Sequence, residues 1–215
     1  MFINIIYYIM IYLLITTSIN NKVGNNDQEH RKNRYIDCIK SSLKLIENDE
    51  MIKVIIVENN GQRSTYLDDL DCDVLYTNNN ALHFQHKGVN ELLDIKQVIQ
   101  HYNINDDDFI IKLTGRYKIL DKSFINLIKT NIESYDAFVK FFNVCTLKYM
   151  YDDCVLGLFA IKCKYLKIFK YSNPAISPEC EFAIFVRNFA KDKVMEIKTL
   201  NLECCFADNL RILTI

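Results

Sequence analysis

Apolar residues come along this chain in short continuous runs, separated by stretches in which they recur at helical spacing. Residues 9–16, IMIYLLIT, form the first run and read as a fully buried strand. Residues 23–34 are polar and predict a loop that ends in a helix start. Tyr35, Ile36, Ile39, Leu43 and Ile46 then follow helical spacing. KVIIV at 53–57 is a second strand, broken by Glu58-Asn59-Asn60-Gly61. Residues 64–70 predict a short helix, and 74–76 a third strand that runs into Thr77 and three asparagines. A helix over 89–102 carries the stripe Val89, Leu92, Leu93, Ile95, Val98, Ile99 and Tyr102. A turn at 105–108 leads into a fourth strand, 109–113. Asp121 then caps a helix bearing Phe124, Ile125, Leu127 and Ile128.

The second half is more mixed. Residues 137–142 and 155–161 predict strands, 164–169 a helix, and 172–179 a loop that holds both prolines. Phe182, Phe185, Val186 and Phe189 make another amphipathic stripe, and 195–202 reads as a last strand. Strands alternating with helices argue for an α/β fold with a mostly parallel sheet flanked by helices. Its crossovers should be right-handed. No linker divides the chain, so residues 9–215 are expected to form one domain after an extension at 1–8. A length of 215 residues suits one substantial core.

In an open parallel sheet, ligands bind beyond the carboxyl ends of the strands. The first strand ends in Thr16, Thr17 and Ser18, with Asn20 beyond. The second ends in Glu58, Asn59, Asn60 and Gly61, the third in Thr77 and Asn78 to Asn80, the fourth in Thr114, Gly115, Arg116 and Tyr117. Each of these is also an ordinary turn former; four polar strand ends in succession point to a site. The segment DDDFIIKLTGRY at 106–117 adds Lys112, a cation that needs a partner if buried. Asp106, Asp107 and Asp108 precede the strand, which puts them at the opposite edge, as a solvated turn. Asp152 and Asp153 read as a turn, and the scattered His83 and His86 as loop residues.

Composition narrows the field. With 26 basic and 27 acidic residues the net charge is −1, so the basic surplus of a dedicated nucleic-acid binder is missing. Five glycines and two prolines exclude collagen-like and Pro-rich classes. Eight cysteines without a C-x-x-C pair read as free thiols in a reducing compartment. Residues 1–19 hold no charge. They lack a basic start and a cleavage site, and barely reach the span of about 20 apolar residues a bilayer needs. A strand is the preferred reading, and a membrane anchor through 1–19 is the other. The expected location is the cytoplasm.

The order ITTSIN, VIIVENNG, HKGVNELLDIKQVI, NINDDDFIIKL resembles the nucleotide-sugar-binding fold of GT-A type glycosyltransferases, a Rossmann-like single domain. VENNG through KLTGRY also resembles glycosyltransferase-like proteins encoded by large DNA viruses and some bacteria; a viral origin would make the location the host cytoplasm. The resemblance implies transfer of a sugar from a nucleotide-sugar donor to a glycan or protein hydroxyl. It assigns Thr16, Thr17, Ser18, Glu58, Asn59, Asn60, Lys87, Asn90, Lys112, Thr114, Gly115, Arg116 and Tyr117 to donor binding. The general base of an inverting transfer would come from the start of a late helix, Glu179 or Glu181, with Glu181 preferred; a retaining transfer would need neither.

One departure stands out. Members of this fold commonly carry Asp-x-Asp after the fourth strand to hold a divalent metal, and this chain has KLTGRY there. Arg116, helped by Lys112 or Lys87, is therefore expected to do the metal's work on the diphosphate, with no cofactor; a structural ion pair is the other reading of Arg116. The missing motif equally fits a non-catalytic relative that binds a sugar nucleotide or glycan. If residues 1–19 span a bilayer, a membrane-anchored domain of unrelated function is a further reading.

Overall fold

The computed structural model describes residues 9–20, 27–61, 63–82, 84, 86–142, 153–206 and 211–215. Ten strands and five α-helices are built from them: β1 Ile11–Thr17, α1 Gln28–Leu45, β2 Ile52–Glu58, β3 Asp73–Tyr76, α2 Lys87–His101, β4 Phe109–Thr114, β5 Lys118–Ile119, α3 Ser123–Asn131, β6 Ala137–Val139, β7 Leu158–Lys162, α4 Cys163–Ile168, α5 Pro178–Ala190, β8 Val194–Glu196, β9 Leu202–Cys205 and β10 Ile212–Thr214.

The main sheet has seven strands in the order β3-β2-β1-β4-β7-β6-β8. Strands β3, β2, β1 and β4 are mutually parallel. Only β7 runs against its neighbours, pairing antiparallel with β4 and β6, while β8 is parallel to β6. The expected α/β architecture with a mostly parallel sheet is the one observed. The apolar run that was weighed as an anchor is an interior strand of this sheet from Ile11 onward, paired with β2 on one side and β4 on the other. Among the described residues, no helix is long and apolar enough to cross a membrane. The extension at 1–8 lies outside the described residues.

Side chains alternate between the two faces of each strand. Ile11, Leu13 and Ile15 of β1 and Phe109, Ile111 and Leu113 of β4 face a core closed by Tyr35 and Ile39 of α1 and Phe124, Ile125 and Ile128 of α3. Leu14, Ile55, Val57 and Ile110 face the other way, under Leu92, Ile95 and Val98 of α2 and Phe182, Ala183 and Val186 of α5. Each fully buried aliphatic side chain of this kind contributes about 1.5–3 kcal/mol. The helices thus sandwich the sheet and leave its carboxyl edge open.

Three expectations need correction. Residues 28–34 are not loop: α1 begins at Gln28, with the Asp27 side chain accepting the His30 N–H at the cap. Residues 195–202 are not one strand: β8 ends at Glu196, and β9 starts at Leu202 in a separate three-stranded sheet, β10-β9-β5. Between them Asn201 adopts a positive φ of 48°, which turns the chain from one sheet to the other. The acidic turn does lie at the amino edge of β4, but Asp108 is buried rather than solvated. Its carboxylate accepts from Met10 N at 3.0 Å and Asn105 N at 3.1 Å, fastening the entry of β1. All seven cysteines among the described residues are free thiols.

Candidate functional site

A cavity of about 440 Å³ opens at the carboxyl edge of the main sheet, beyond β4. It is built by parts far apart in sequence: the end of β4, the first turns of α2 and α5, the residues before β7, Arg31 from α1 and Phe206 just after β9.

Lys112 lies on its floor. The alternation of β4 puts Lys112 and Thr114 on the α2 face with Ile110, yet only 2% of Lys112 is exposed. Its ammonium donates to Thr114 Oγ1 at 2.6 Å and to the Leu156 carbonyl at 2.9 Å, and pairs with Glu91 Oε2 at 3.0 Å. Glu91, one turn into α2, also accepts from Thr16 Oγ1 at 3.3 Å. Burial opposes the charge on both partners. Glu91 is nonetheless held below the usual carboxylate range by Lys112, Arg116 and Thr16, whereas for Lys112 burial outweighs Glu91 and the ammonium pKa is lowered. Lys112 thus enters the cavity floor already paired with Glu91. Glu91 stands in HKGVNELLDIKQVI with no role legible in the sequence, because its partner lies 21 residues away on another element.

Arg116 sits past the end of β4. Its Nε donates to the Cys205 carbonyl at 2.7 Å, and its own carbonyl accepts from Arg34 Nε at 2.9 Å. Arg34 in turn pairs with Glu203 at 2.8 Å. The small second sheet and α1 thus fix the residue from both sides. Tyr117 lies beside it with the guanidinium 5.3 Å from the ring centroid. The Tyr117 ring rests flat on Gly157, where an added Cβ would come within 2.1 Å of Cε2. Gly115 is equally confined: a Cβ there would meet Thr17 Cγ2 at 2.8 Å and the Thr16 carbonyl at 3.0 Å.

Two further cations complete the cavity. Arg31 is buried and donates from Nε and Nη2 to the Ser18 carbonyl at 3.0 and 2.8 Å, and from Nη2 to the Tyr35 hydroxyl at 3.0 Å. It went unnoticed because the first turns of α1 carry no apolar stripe; Asp27 as an N-cap was the available signal. Lys87 opens α2 at the rim. Its ammonium pKa is lowered, first by burial and then by the nearby Arg116 and Arg31. The positive ends of two helix dipoles add to this charge, since α2 and α5 both start at the cavity. Gly88 and Pro178 touch where the two starts meet, and a Cβ on Gly88 would fall 2.8 Å from Pro178 Cβ.

The remaining predicted residues divide into three groups. Thr17 and Glu58 share a register position on the α1 face. The Glu58 carboxylate is fully buried and accepts from Thr17 Oγ1 at 2.7 Å, Ile19 N at 3.1 Å, Asn60 N at 3.1 Å and Asn60 Nδ2 at 2.5 Å. It braces the turns after β1 and β2; Asn60 also reaches Ser18 Oγ at 3.3 Å. Asn59 and Asn90 point elsewhere. Asn59 donates to Asp94 at 3.0 Å, and Asn90 donates to the carbonyls of Asn79 and Leu82.

The third group is the pair of acids on α5. Glu179 lines the cavity. Glu181 does not: its Oε1 accepts from Ser172 N at 2.5 Å, Ser172 Oγ at 2.7 Å and Asn173 N at 3.2 Å, and so ties down the loop before α5. His86, read as a loop residue, is the N-cap of α2 and lines the cavity. His83 and Asp152 lie outside the described residues. Asp153 is buried and accepts from the Cys154 N–H at 2.9 Å.

A divalent cation would need several oxygen ligands. At the end of β4 the Thr114 hydroxyl accepts a hydrogen bond from the Lys112 ammonium, the Glu91 carboxylate is committed to Lys112 and Thr16, and Arg116 adds positive charge. These residues do not fit a metal. Among the described residues no three His, Cys, Asp or Glu side chains gather into a metal-holding group.

No family model matches the chain, and no curated protein matches it in sequence. Solved structures do. The fold is similar to that of a mannosyltransferase from Pyrobaculum calidifontis in complex with GDP-Man and Mn2+ (TM-score 0.56, 8% identity, 89% of this chain and 55% of that one covered). It is similar to 4-diphosphocytidyl-2C-methyl-D-erythritol synthase (TM-score 0.52, 10% identity, 91% and 92% covered). It is also similar to CMP:2-keto-3-deoxy-manno-octonic acid synthetase complexed with CTP (TM-score 0.51, 9% identity, 87% and 90% covered). The chain has the α/β fold shared by nucleotide-sugar transferases and nucleotidyltransferases.

Proposed function

We propose that this protein transfers a sugar from a nucleotide-activated donor to a hydroxyl acceptor, with fixed side-chain cations in the place of a metal. The observation that carries this is the gathering of Arg31, Lys87 and Arg116 around one cavity at the carboxyl edge of the sheet. The ammonium pKa of Lys87 is lowered first by burial and then by Arg116 and Arg31; a bound diphosphate would offset the second of these. Planar guanidinium forks suit phosphate oxygens.

In this reading the acceptor hydroxyl gives its proton to the Glu179 carboxylate. Its oxygen forms a bond to the anomeric carbon as the bond from that carbon to the diphosphate breaks. The electron pair leaves with the nucleoside diphosphate, whose charge Arg116 and Lys87 offset. A single displacement of this kind inverts the anomeric centre.

Donor turnover in the presence of EDTA tests the reading. Unchanged turnover is expected, and loss that manganese restores would overturn the role given to the cations. Calorimetry with UDP, GDP and CMP separates an enzyme from a non-catalytic binder, since the latter binds without turnover. Likeness in fold to a synthetase complexed with CTP supports one other reading, nucleotidyl transfer; pyrophosphate release from CTP would reveal it.

A further inference from the structure

A second cavity, of about 200 Å³, lies beside the first. The two share His86 and Pro178 as a dividing ridge. Their chemistry differs. The first is ringed by cations; the walls of the second hold no lysine or arginine among the described residues and are formed mainly by Val89, Tyr171, Pro174, Ile176 and Pro178. Its one carboxylate, Glu181, is turned into the loop backbone at Ser172 and Asn173. His86 closes the same loop by a 3.0 Å contact from Nε2 to the Pro174 carbonyl. Phe84 stands at this cavity with 46% of its surface exposed.

We propose that this side cavity seats a compact uncharged group of the acceptor, one aromatic ring in size, next to the hydroxyl that receives the sugar. The inference rests on the sugar-transfer reading of the main cavity. Size supports it, because an apolar cavity of about 150 Å³ holds a benzene ring. Position supports it as well: Pro178 lines both cavities, and the next residue, Glu179, lines the main one. The side cavity does not suit the donor's phosphates, which need the cations. Nor does it touch Ser18, Glu58 or Asn60 at the ends of β1 and β2.

Calorimetry of the full chain with phenyl β-glucoside and methyl β-glucoside tests the proposal. The phenyl compound should bind with a Kd at least about tenfold lower, the scale expected for removing a small apolar ring from water. Ile176→Trp, which fills the cavity, should abolish that preference and leave UDP or GDP affinity within about twofold. Thermal unfolding checks that the variant folds, and Ile176→Ala should weaken the phenyl compound severalfold if the tryptophan does not fit. Equal affinities, no binding of either glucoside, or a preference that survives both variants would overturn the proposal. Displacement of the phenyl compound by a nucleoside diphosphate would assign the cavity to the donor's base and overturn it too. A phenyl preference without any nucleoside diphosphate binding would leave the side cavity standing and remove the sugar-transfer reading of its neighbour.

Discussion

The ends of β2 and β3 and the ends of β1 and β4 carry similar polar residues and use them in opposite ways. At the first pair, Thr77 Oγ1 and Asn79 Nδ2 each donate to Asp94 Oδ1 at 2.7 Å, and Asn59 Nδ2 donates to Oδ2 at 3.0 Å. One fully buried carboxylate on α2 collects three donors, and that edge of the sheet is sealed. At the second pair Thr17 and Ile19 are tied to the buried Glu58 carboxylate and Lys112 to Glu91, but beyond these Arg31, Lys87 and Arg116 line an open cavity. A polar strand end can offer a site where its charged groups border open space as well as one another.

The contrast can be broken from either side. Arg116→Ala should have the largest effect, a loss of about 100- to 1000-fold in turnover, the usual cost of removing a fixed donor from a developing anion. Circular dichroism should show a native fold. Glu179→Gln should follow with about a 100-fold loss, as for a general base, measured as the initial rate at saturating acceptor.

On the sealed side, Asp94→Ala should leave three buried donors without an acceptor. A cost of about 2–3 kcal/mol in urea denaturation is expected, with nucleotide affinity of the folded fraction unchanged. Asp94 also predicts a pH effect. Burial pushes its pKa up to about 6, against the efforts of Thr77, Asn79 and Asn59, while the unfolded chain has the usual value of about 3.9. The folded state thus binds the proton more tightly. Its contribution is fully present below about pH 4 and falls as the pH rises to about 6, by at most about 3 kcal/mol. Asp94→Asn should remove this segment of the stability-versus-pH curve, so the difference between the two proteins is the quantity to measure. Glu181→Gln should do least, under about 1 kcal/mol, because an amide oxygen can still accept from the exposed loop. Turnover should hardly change; a loss matching Glu179→Gln would exchange the two assignments.

The layers of the fold were legible because β1, β2 and β4 are continuous apolar runs and α2 carries a full stripe. Strand-end chemistry was legible as a location but not as a division of labour. Glu58 looks like a ligand contact in VIIVENNG, yet nothing local reveals that its carboxylate faces the Ile19 and Asn60 amides. Asp94 drew no notice inside a helical stripe, since its three partners come from the ends of other strands. Arg31 was hidden by a helix start that is polar on every side. Glu179 and Glu181 are two apart on a helix, about 200° in direction, and no signal in the sequence says which of them faces the cavity.

The contact between Gly88 and Pro178 has a consequence for the order in which the molecule is made. Arg31, Lys87, Lys112 and Arg116 all lie in the first 116 residues, but Leu156, which anchors the Lys112 ammonium, and Pro178, which sets the opposite wall, come much later. A chain emerging from the ribosome carries every cation of the site long before it has the wall that spaces them. Chains fold from the amino end as they are made, so anion binding should mature last, and a fragment ending before Pro178 should keep the central parallel strands while failing to hold a nucleoside diphosphate.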